Sequence, residues 1–276
     1  MKKIFLIAGL FVVFQTSFSQ EINIMTYNIR YGNETDDENS WSFRKEALVN
    51  LINYYSPDVM GTQEGLQYQL EYIAKNSSYK YIGVGRDNGK KEGEYSAIFY
   101  NSKKFKVLKS ATFWLSPTPD VPSKGWDAAL NRVCTYGLFE NKETKSRFYV
   151  FNAHFDHVGV QARAEAAKLM LLKLKELNTD NLPAFVTGDF NLTPASEPIQ
   201  IFSQQLNDSY THSTTKPYGP AGTWNAYHFS ENPVNRIDYI FTSGNLKVLK
   251  YRTITDFYDF KYPSDHLPVL ITALQE

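Results

Sequence analysis

Six short stretches set polar or ionisable groups beside apolar, strand-like runs. They are "MTYNIR" with Asn28, "GTQE" with Glu64, "NAHFDH" with His154, "GDFN" with Asp189 and Asn191, "RIDYIF" with Asp238, and "PSDHLPV" with Asp265 and His266. An unpaired buried polar group costs about 1–3 kcal/mol. Scattered through a core, such a set would be expensive; gathered at one end of a sandwich, its members would satisfy one another around water or a metal. Taken singly, each has a structural explanation. Asn28 suits a turn amide, and Glu64 an acid at a helix N-terminus, favoured by the macrodipole. His154, Asp156 and His157 suit an edge strand or, less well, a zinc set. "GDFN" suits an Asp/Asn turn, "NRIDYIF" an Arg236–Asp238 contact, and Asp265-His266 a satisfied turn.

The elements that must position these groups can be read from periodicity. Ile22–Ile29 alternates apolar and polar residues, as a strand with one buried face does. "PDVMGTQE" reads as a buried strand ending at Glu64, and "LPAFVTGDF" as another running into a polar end. Further strands are expected at Tyr79–Gly85, Tyr95–Tyr100, Lys104–Leu115, Thr135–Phe139, Phe148–His154, Arg236–Thr242, Leu246–Thr253 and Leu267–Ala273. Helical spacing appears at about Phe43–Asn53, stopped by Pro57, and near Glu197–Gln205. The clearest helix is Val160–Leu177, whose Val160, Ala164, Ala167, Leu171 and Leu174 form one apolar face. Strands outnumber helices, and helices fall between some of them. The fold class is α/β: a two-layer β-sandwich core flanked by helices, in four layers α/β/β/α.

Bulk properties narrow the function. Lys2, Lys3, an apolar run of 11 residues (Ile4–Phe14) and Ser17-Phe18-Ser19 read as a signal peptide over residues 1–19. That run is too short for a membrane span of about 20 residues, and no cysteine beside the cleavage point offers a lipid anchor. The expectation is export, to the periplasm or the medium, with one domain over 20–276 and no stable membrane anchor. Removing the leader takes away two lysines and no acids from a neutral chain, leaving a net charge of −2. Tight non-specific nucleic-acid binding normally shows a basic excess. A single cysteine, Cys134, excludes an internal disulfide framework, so the fold must rest on a core, which 42% apolar residues can build.

Taken together and in this order, the six motifs resemble the endonuclease/exonuclease/phosphatase superfamily over about residues 21–273. "WSFRKEALVNLI" further resembles the Trp-x-x-Arg-Lys helix of the nocturnin and carbon catabolite repressor deadenylase branch. The resemblance implies a Mg²⁺-dependent phosphoesterase, with Mn²⁺ a possible substitute, acting on nucleic acid, a nucleotide or a small phosphorylated molecule. Mg²⁺ takes hard oxygen donors and keeps several waters, so Glu64 is the principal metal ligand, with Asn28 and Asp265 contributing. His266 is the general base, oriented by Asp238. Asp189 and Asn191 position water and a phosphate oxygen, and His154 donates to the phosphate. Arg30 stands where apurinic endonucleases carry an acid, which speaks against abasic-site repair. Trp41, Arg44 and Arg132 are candidates for the substrate cleft, and His157 for a loop histidine apart from the chemistry. The protein is expected to act as a monomer. Alternatives are a sphingomyelinase-like phospholipase C, using "ATFWLSPTPDVP" as a lipid-inserting hairpin, and a catalytically silent binding module on the same fold.

Overall fold

The computed structural model describes residues 20–244 and 246–275; the expected leader lies outside them. Two six-stranded sheets pack face to face. The first holds β1 (Gln20–Asn28), β2 (Val59–Gln63), β3 (Tyr79–Ile82), β4 (Ile98–Asn101), β11 (Leu246–Thr253) and β12 (Val269–Gln275), in the order β11-β12-β1-β2-β4-β3. The second holds β5 (Phe105–Trp114), β6 (Val133–Asn141), β7 (Arg147–His154), β8 (Ala184–Asp189), β9 (Asn207–Asp208) and β10 (Asp238–Ser243), in the order β5-β6-β7-β8-β10-β9. Helices α1 (Trp41–Tyr55) and α2 (Gln67–Lys75) cover the first sheet, and α3 (Val160–Leu177) and α4 (Glu197–Ser203) the second. This is the four-layer sandwich expected. No helix among the described residues is long and apolar enough to cross a membrane.

Strand direction delivers the polar groups to one end. At the middle of each sheet lies a parallel pair, β1/β2 and β7/β8, each joined by a crossover helix. Parallel strands end on the same side, so Asn28, Glu64, His154 and Asp189 arrive together. β12 runs antiparallel to β1 and β10 antiparallel to β8. Their beginnings therefore lie at that same edge, which brings in Asp265, His266 and Asp238.

Side-chain alternation then grades the space between the sheets. The face of β1 that looks across reads Ile22, Ile24, Thr26, Asn28; β7 reads Phe148, Val150, Asn152, His154; β8 reads Phe185, Thr187, Asp189. Apolar packing at one end thus passes through a polar layer to the site. Asn152 organises that layer. Its Oδ1 accepts from Gln63 Nε2 (2.7 Å) and Thr187 Oγ1 (3.0 Å), and its Nδ2 donates to the carbonyls of Thr62 (2.8 Å) and Ala97 (2.9 Å). Gly61 makes room for it, since a Cβ there would sit 2.4 Å from both Asn152 Oδ1 and Thr187 Oγ1.

Several sequence expectations change. β1 is buried on both faces, with Met25 and Tyr27 packed under α1 and α2, so its polar residues mark the inter-sheet layer rather than solvent. The buried face of α3 is Ala162, Ala166, Ala167, Met170, Leu171 and Leu174, while Val160 is exposed. Helix α2 carries too few apolar residues to announce itself: only Gln69, Leu70 and Ile73 are buried.

Candidate active site

At the polar end of the sandwich lies a cleft of about 580 Å³ whose floor includes Glu64, His154, Asp189, Asn191, Asp265 and His266. A second hollow, of about 440 Å³ between Phe43, Tyr54 and Phe257, has no comparable set of groups. Backbone geometry aims the cleft residues. Arg30, Glu64 and Asn191 each follow the end of a strand with φ of 60°, 65° and 52°, a left-handed conformation that non-glycine residues rarely adopt. Strain of this kind persists where surrounding contacts over-determine it, and it clusters at functional sites.

Glu64 stands just before α2 rather than in its first turn. Its Oε1 accepts from Asn28 Nδ2 (2.9 Å) and its Oε2 from the Tyr31 N–H (2.8 Å). Burial opposes the charged form, but the Asn28 hydrogen bond, His266 and that N–H together hold the carboxyl below its usual range. Asn28 also donates to Asp189 Oδ2 (2.9 Å), while its own Oδ1 accepts from the Arg30 N–H (3.0 Å). A carboxylate can only accept, so the amide turns its NH₂ to the two acids and orients them.

His266 Nδ1 is 2.8 Å from Asp238 Oδ2, and its Nε2 lies 3.7 Å from Asp189 Oδ2. Burial disfavours the charged ring, but Asp238, Asp189 and Asp265 outweigh it and raise the pKa well above the ordinary value. His154 is the opposite case. Burial, with Arg132 and Arg86 nearby, keeps it neutral. Asn191 Nδ2 donates to its Nε2 (3.1 Å), so Nδ1 carries the proton, and that buried atom has no partner among the described residues.

Two of the three candidates for substrate contact lie elsewhere. Trp41 and Arg44, three apart on α1, face the sheet and are buried. Arg44 lies 5.2 Å from the centre of the Trp41 ring and donates to the carbonyls of Ile29, Arg30, Tyr31, Asn39 and Pro263. It therefore clamps the segment after Asn28 to the segment before Asp265 without reaching the cleft. Arg132 does line the cleft, held by Asp156 Oδ2 at Nε (3.3 Å) and by His157 Nδ1 at Nη2 (3.0 Å). His157 is consequently part of the cleft rim, not a bystander. Arg236 pairs with Asp208, at 2.6 and 2.9 Å, leaving Asp238 for His266. The "ATFWLSPTPDVP" segment is no lipid hairpin, because Phe113, Trp114 and Leu115 are buried and Trp114 Nε1 donates to the Arg86 carbonyl.

Sequence reasoning missed Glu94, Trp224, Tyr31 and Leu130 on the cleft wall. They come from loops without periodicity, and no local signal marks them. Arg30, marked in the sequence only by its type, also lines the cleft. Its Nη1 reaches to 3.7 Å from Asp265 Oδ2.

The donor set fits a hard cation. Ligand atoms of Glu64, His154 and Asp189 lie within 4.8 Å of one another, as do those of Asp189, Asp238 and His266. Burial, with Asp238 beside it, pushes Asp189 up to about 7 despite His266, and burial with Glu64 nearby also raises Asp265. Burial is the main cause of both shifts, and a cation between these acids would favour their charged forms. Oxygen donors predominate, and the one thiol, Cys134, is buried in the core.

A sandwich with acids, an acid-held imidazole and a neutral histidine at one open end defines a metal-dependent hydrolase of phosphoric esters. The chain belongs to the Endonuclease/Exonuclease/phosphatase family, which matches residues 25–266. It is similar to an endonuclease/exonuclease/phosphatase family protein of Bacteroides thetaiotaomicron, with 39% identity and a TM-score of 0.90 over 94% of this chain and 99% of that one. It is similar also to a mannosyl-6-phosphatase of that organism, with 41% identity and a TM-score of 0.89 over 91% and 99%. The CCR4-Not complex 3'-5'-exoribonuclease subunit Ccr4 of Emericella nidulans is 20% identical over 91% of this chain. The chain spans about half, 51%, of that relative's length.

Proposed function

We propose that the protein is an exported, Mg²⁺-dependent phosphoesterase acting on small phosphoesters, phosphorylated sugars first among them. The observation that carries this reading is the convergence of Glu64, Asp189, Asp265, the His266–Asp238 pair, His154 and Asn191 at one end of the sandwich. The 41% identity to a mannosyl-6-phosphatase supports sugar phosphates as substrates, and the signal-like residues 1–19 support export. Mass spectrometry of the protein from its host should find a chain beginning at Gln20; an intact Met1 would refute the export reading.

Glu64 and Asp265 would hold the metal, with Asp189 beside them; when bound, the ion neutralises phosphate charge as a Lewis acid. The remaining work falls to side chains of this chain. Asp238 accepts the Nδ1 proton of His266, which leaves Nε2 as the atom that removes a proton from water. Asn191 holds the tautomer of His154 and so presents Nδ1–H to a phosphate oxygen. Water oxygen bonds to phosphorus as its proton passes to His266 Nε2, the ester P–O bond breaks, and the leaving oxygen takes a proton from solvent and departs as an alcohol.

The test is a substrate panel assayed with Mg²⁺ or Mn²⁺ and again after EDTA. It comprises sugar phosphates, nucleotides, dinucleotides, single-stranded RNA and DNA, and sphingomyelin. Sugar phosphates should turn over fastest, chelation should abolish hydrolysis, and either metal should restore it. Full activity after exhaustive chelation would overturn the metal reading, and turnover of sphingomyelin alone would overturn the substrate reading.

A further inference from the structure

The cleft is polarised. Its acids, Glu64, Asp189 and Asp265, stand at the ends of the central strands, whereas the wall carrying Arg132 is backed by a second guanidinium, Arg86. Arg132 is 5% exposed. Two of its three nitrogens are engaged, Nε by Asp156 and Nη2 by His157, so the side chain is held in place. The third, Nη1, is buried and has no hydrogen-bond partner among the described residues. Leaving a charged donor unmatched is costly, and neither the Asp156 pair nor the His157 contact uses it. His154 Nδ1, on the same wall, is unmatched in the same way. Glu94 does not fill the gap: its Oε2 is taken by Arg86 Nη1 at 2.7 Å and lies 3.9 Å from His154 Nδ1. Burial pushes the Glu94 carboxyl up to about 7, and Arg86 holds it, as Asp156 is held by Arg132.

A phosphodiester has two non-bridging oxygens sharing one charge, whereas a phosphomonoester dianion has three terminal oxygens and two charges. A cation held by Glu64 and Asp265 would take one oxygen, and His154 Nδ1–H would donate to a second. We infer that Arg132 Nη1 receives the third terminal oxygen, and that this makes the protein a phosphomonoesterase that discriminates against diesters. The inference rests on the phosphoesterase reading above and names the substrate class of the same cleft. The reaction is hydrolysis: water adds to phosphorus, the P–O bond to the organic group breaks, and the alcohol and inorganic phosphate are released.

The experiment compares 4-nitrophenyl phosphate with bis(4-nitrophenyl) phosphate, using full-length mature protein with Mg²⁺, for the wild type, Arg132→Gln and Arg132→Lys. Inorganic phosphate and dimethyl phosphate are titrated calorimetrically into each protein. The wild type should favour the monoester, and Arg132→Gln should lower the monoester-to-diester ratio of kcat/KM by about 10- to 100-fold, the worth of one charge-assisted hydrogen bond. Affinity for inorganic phosphate should fall in parallel, more than affinity for dimethyl phosphate. Arg132→Lys keeps the charge, should retain part of the ratio, and carries the test if the glutamine variant fails to fold. A wild type that prefers the diester, or an Arg132 variant that weakens both esters and both anions alike, overturns the inference while leaving the phosphoesterase reading intact. If neither ester turned over, the phosphoesterase reading would fall, and an unselective phosphate titration would then remove the role of Arg132 as well.

Discussion

Replacing Glu64 by alanine should lower kcat/KM by about 10³-fold or more while leaving the melting temperature almost unchanged. The size follows from the several kcal/mol of charge stabilisation that a bound dication contributes to phosphoryl transfer. Two donors, Asn28 Nδ2 and the Tyr31 N–H, already fix this carboxylate, and no described cation lies within ion-pairing distance of it. Its backbone gives an independent control. With φ at 65°, Glu64 occupies a conformation that glycine adopts freely and other residues adopt at a cost. Glu64→Gly should therefore be equally inactive and at least as stable as the wild type, the pattern of a residue kept for function against local backbone preference. Calorimetry should also show that both variants bind Mg²⁺ more weakly. A large fall in melting temperature with only a proportionate loss of activity would mean that Glu64 is structural.

The second large effect is expected at His266. Its alanine variant should lose about 10²- to 10⁴-fold in kcat, the range for a positioned proton-transfer group, with a smaller change in KM because the ring acts on water rather than anchoring substrate. The neutral ring is the one that can accept a proton, so activity should fall as pH drops through its pKa. Burial favours the neutral ring; Asp238, Asp189 and Asp265 favour the charged one, and a bound dication opposes them. Removing one of the three by Asp238→Asn must then move the acid limb of the pH profile downward, whatever the absolute position of that limb. His157 is not a suitable control, since it touches Arg132; His212, whose ring among the described residues meets Thr211 and the Asp208 carbonyl, is. If His266→Ala and His212→Ala had equal, mild effects, the Asp265-His266 pair would be reduced to a turn.

Much of this was legible in the chain itself because strand periodicity is local. An apolar run that ends in Asn28, Glu64, His154 or Asp189 announces both a buried strand and a polar terminus, and motifs in family order tie the termini together. Strand β11 and helix α3 are visible for the same reason, with the same bounds in sequence and structure. Local pattern could not say which way a polar group faces or what it meets. Asn28 became an orienting donor because two carboxylates converge on its amide, a fact of three-dimensional partnership. Trp41 and Arg44 look like cleft residues by type, yet the inner face of α1 buries both, and the carbonyls around Arg44 come from segments as distant as Ile29 and Pro263. Glu94, Trp224 and the unpartnered nitrogen of Arg132 belong to loops whose course only the packed sheets decide. The sequence determined the strands, the chemistry at their ends and the family; the tertiary structure decided which groups share the cleft, because burial and hydrogen-bond partners are set by residues far away along the chain.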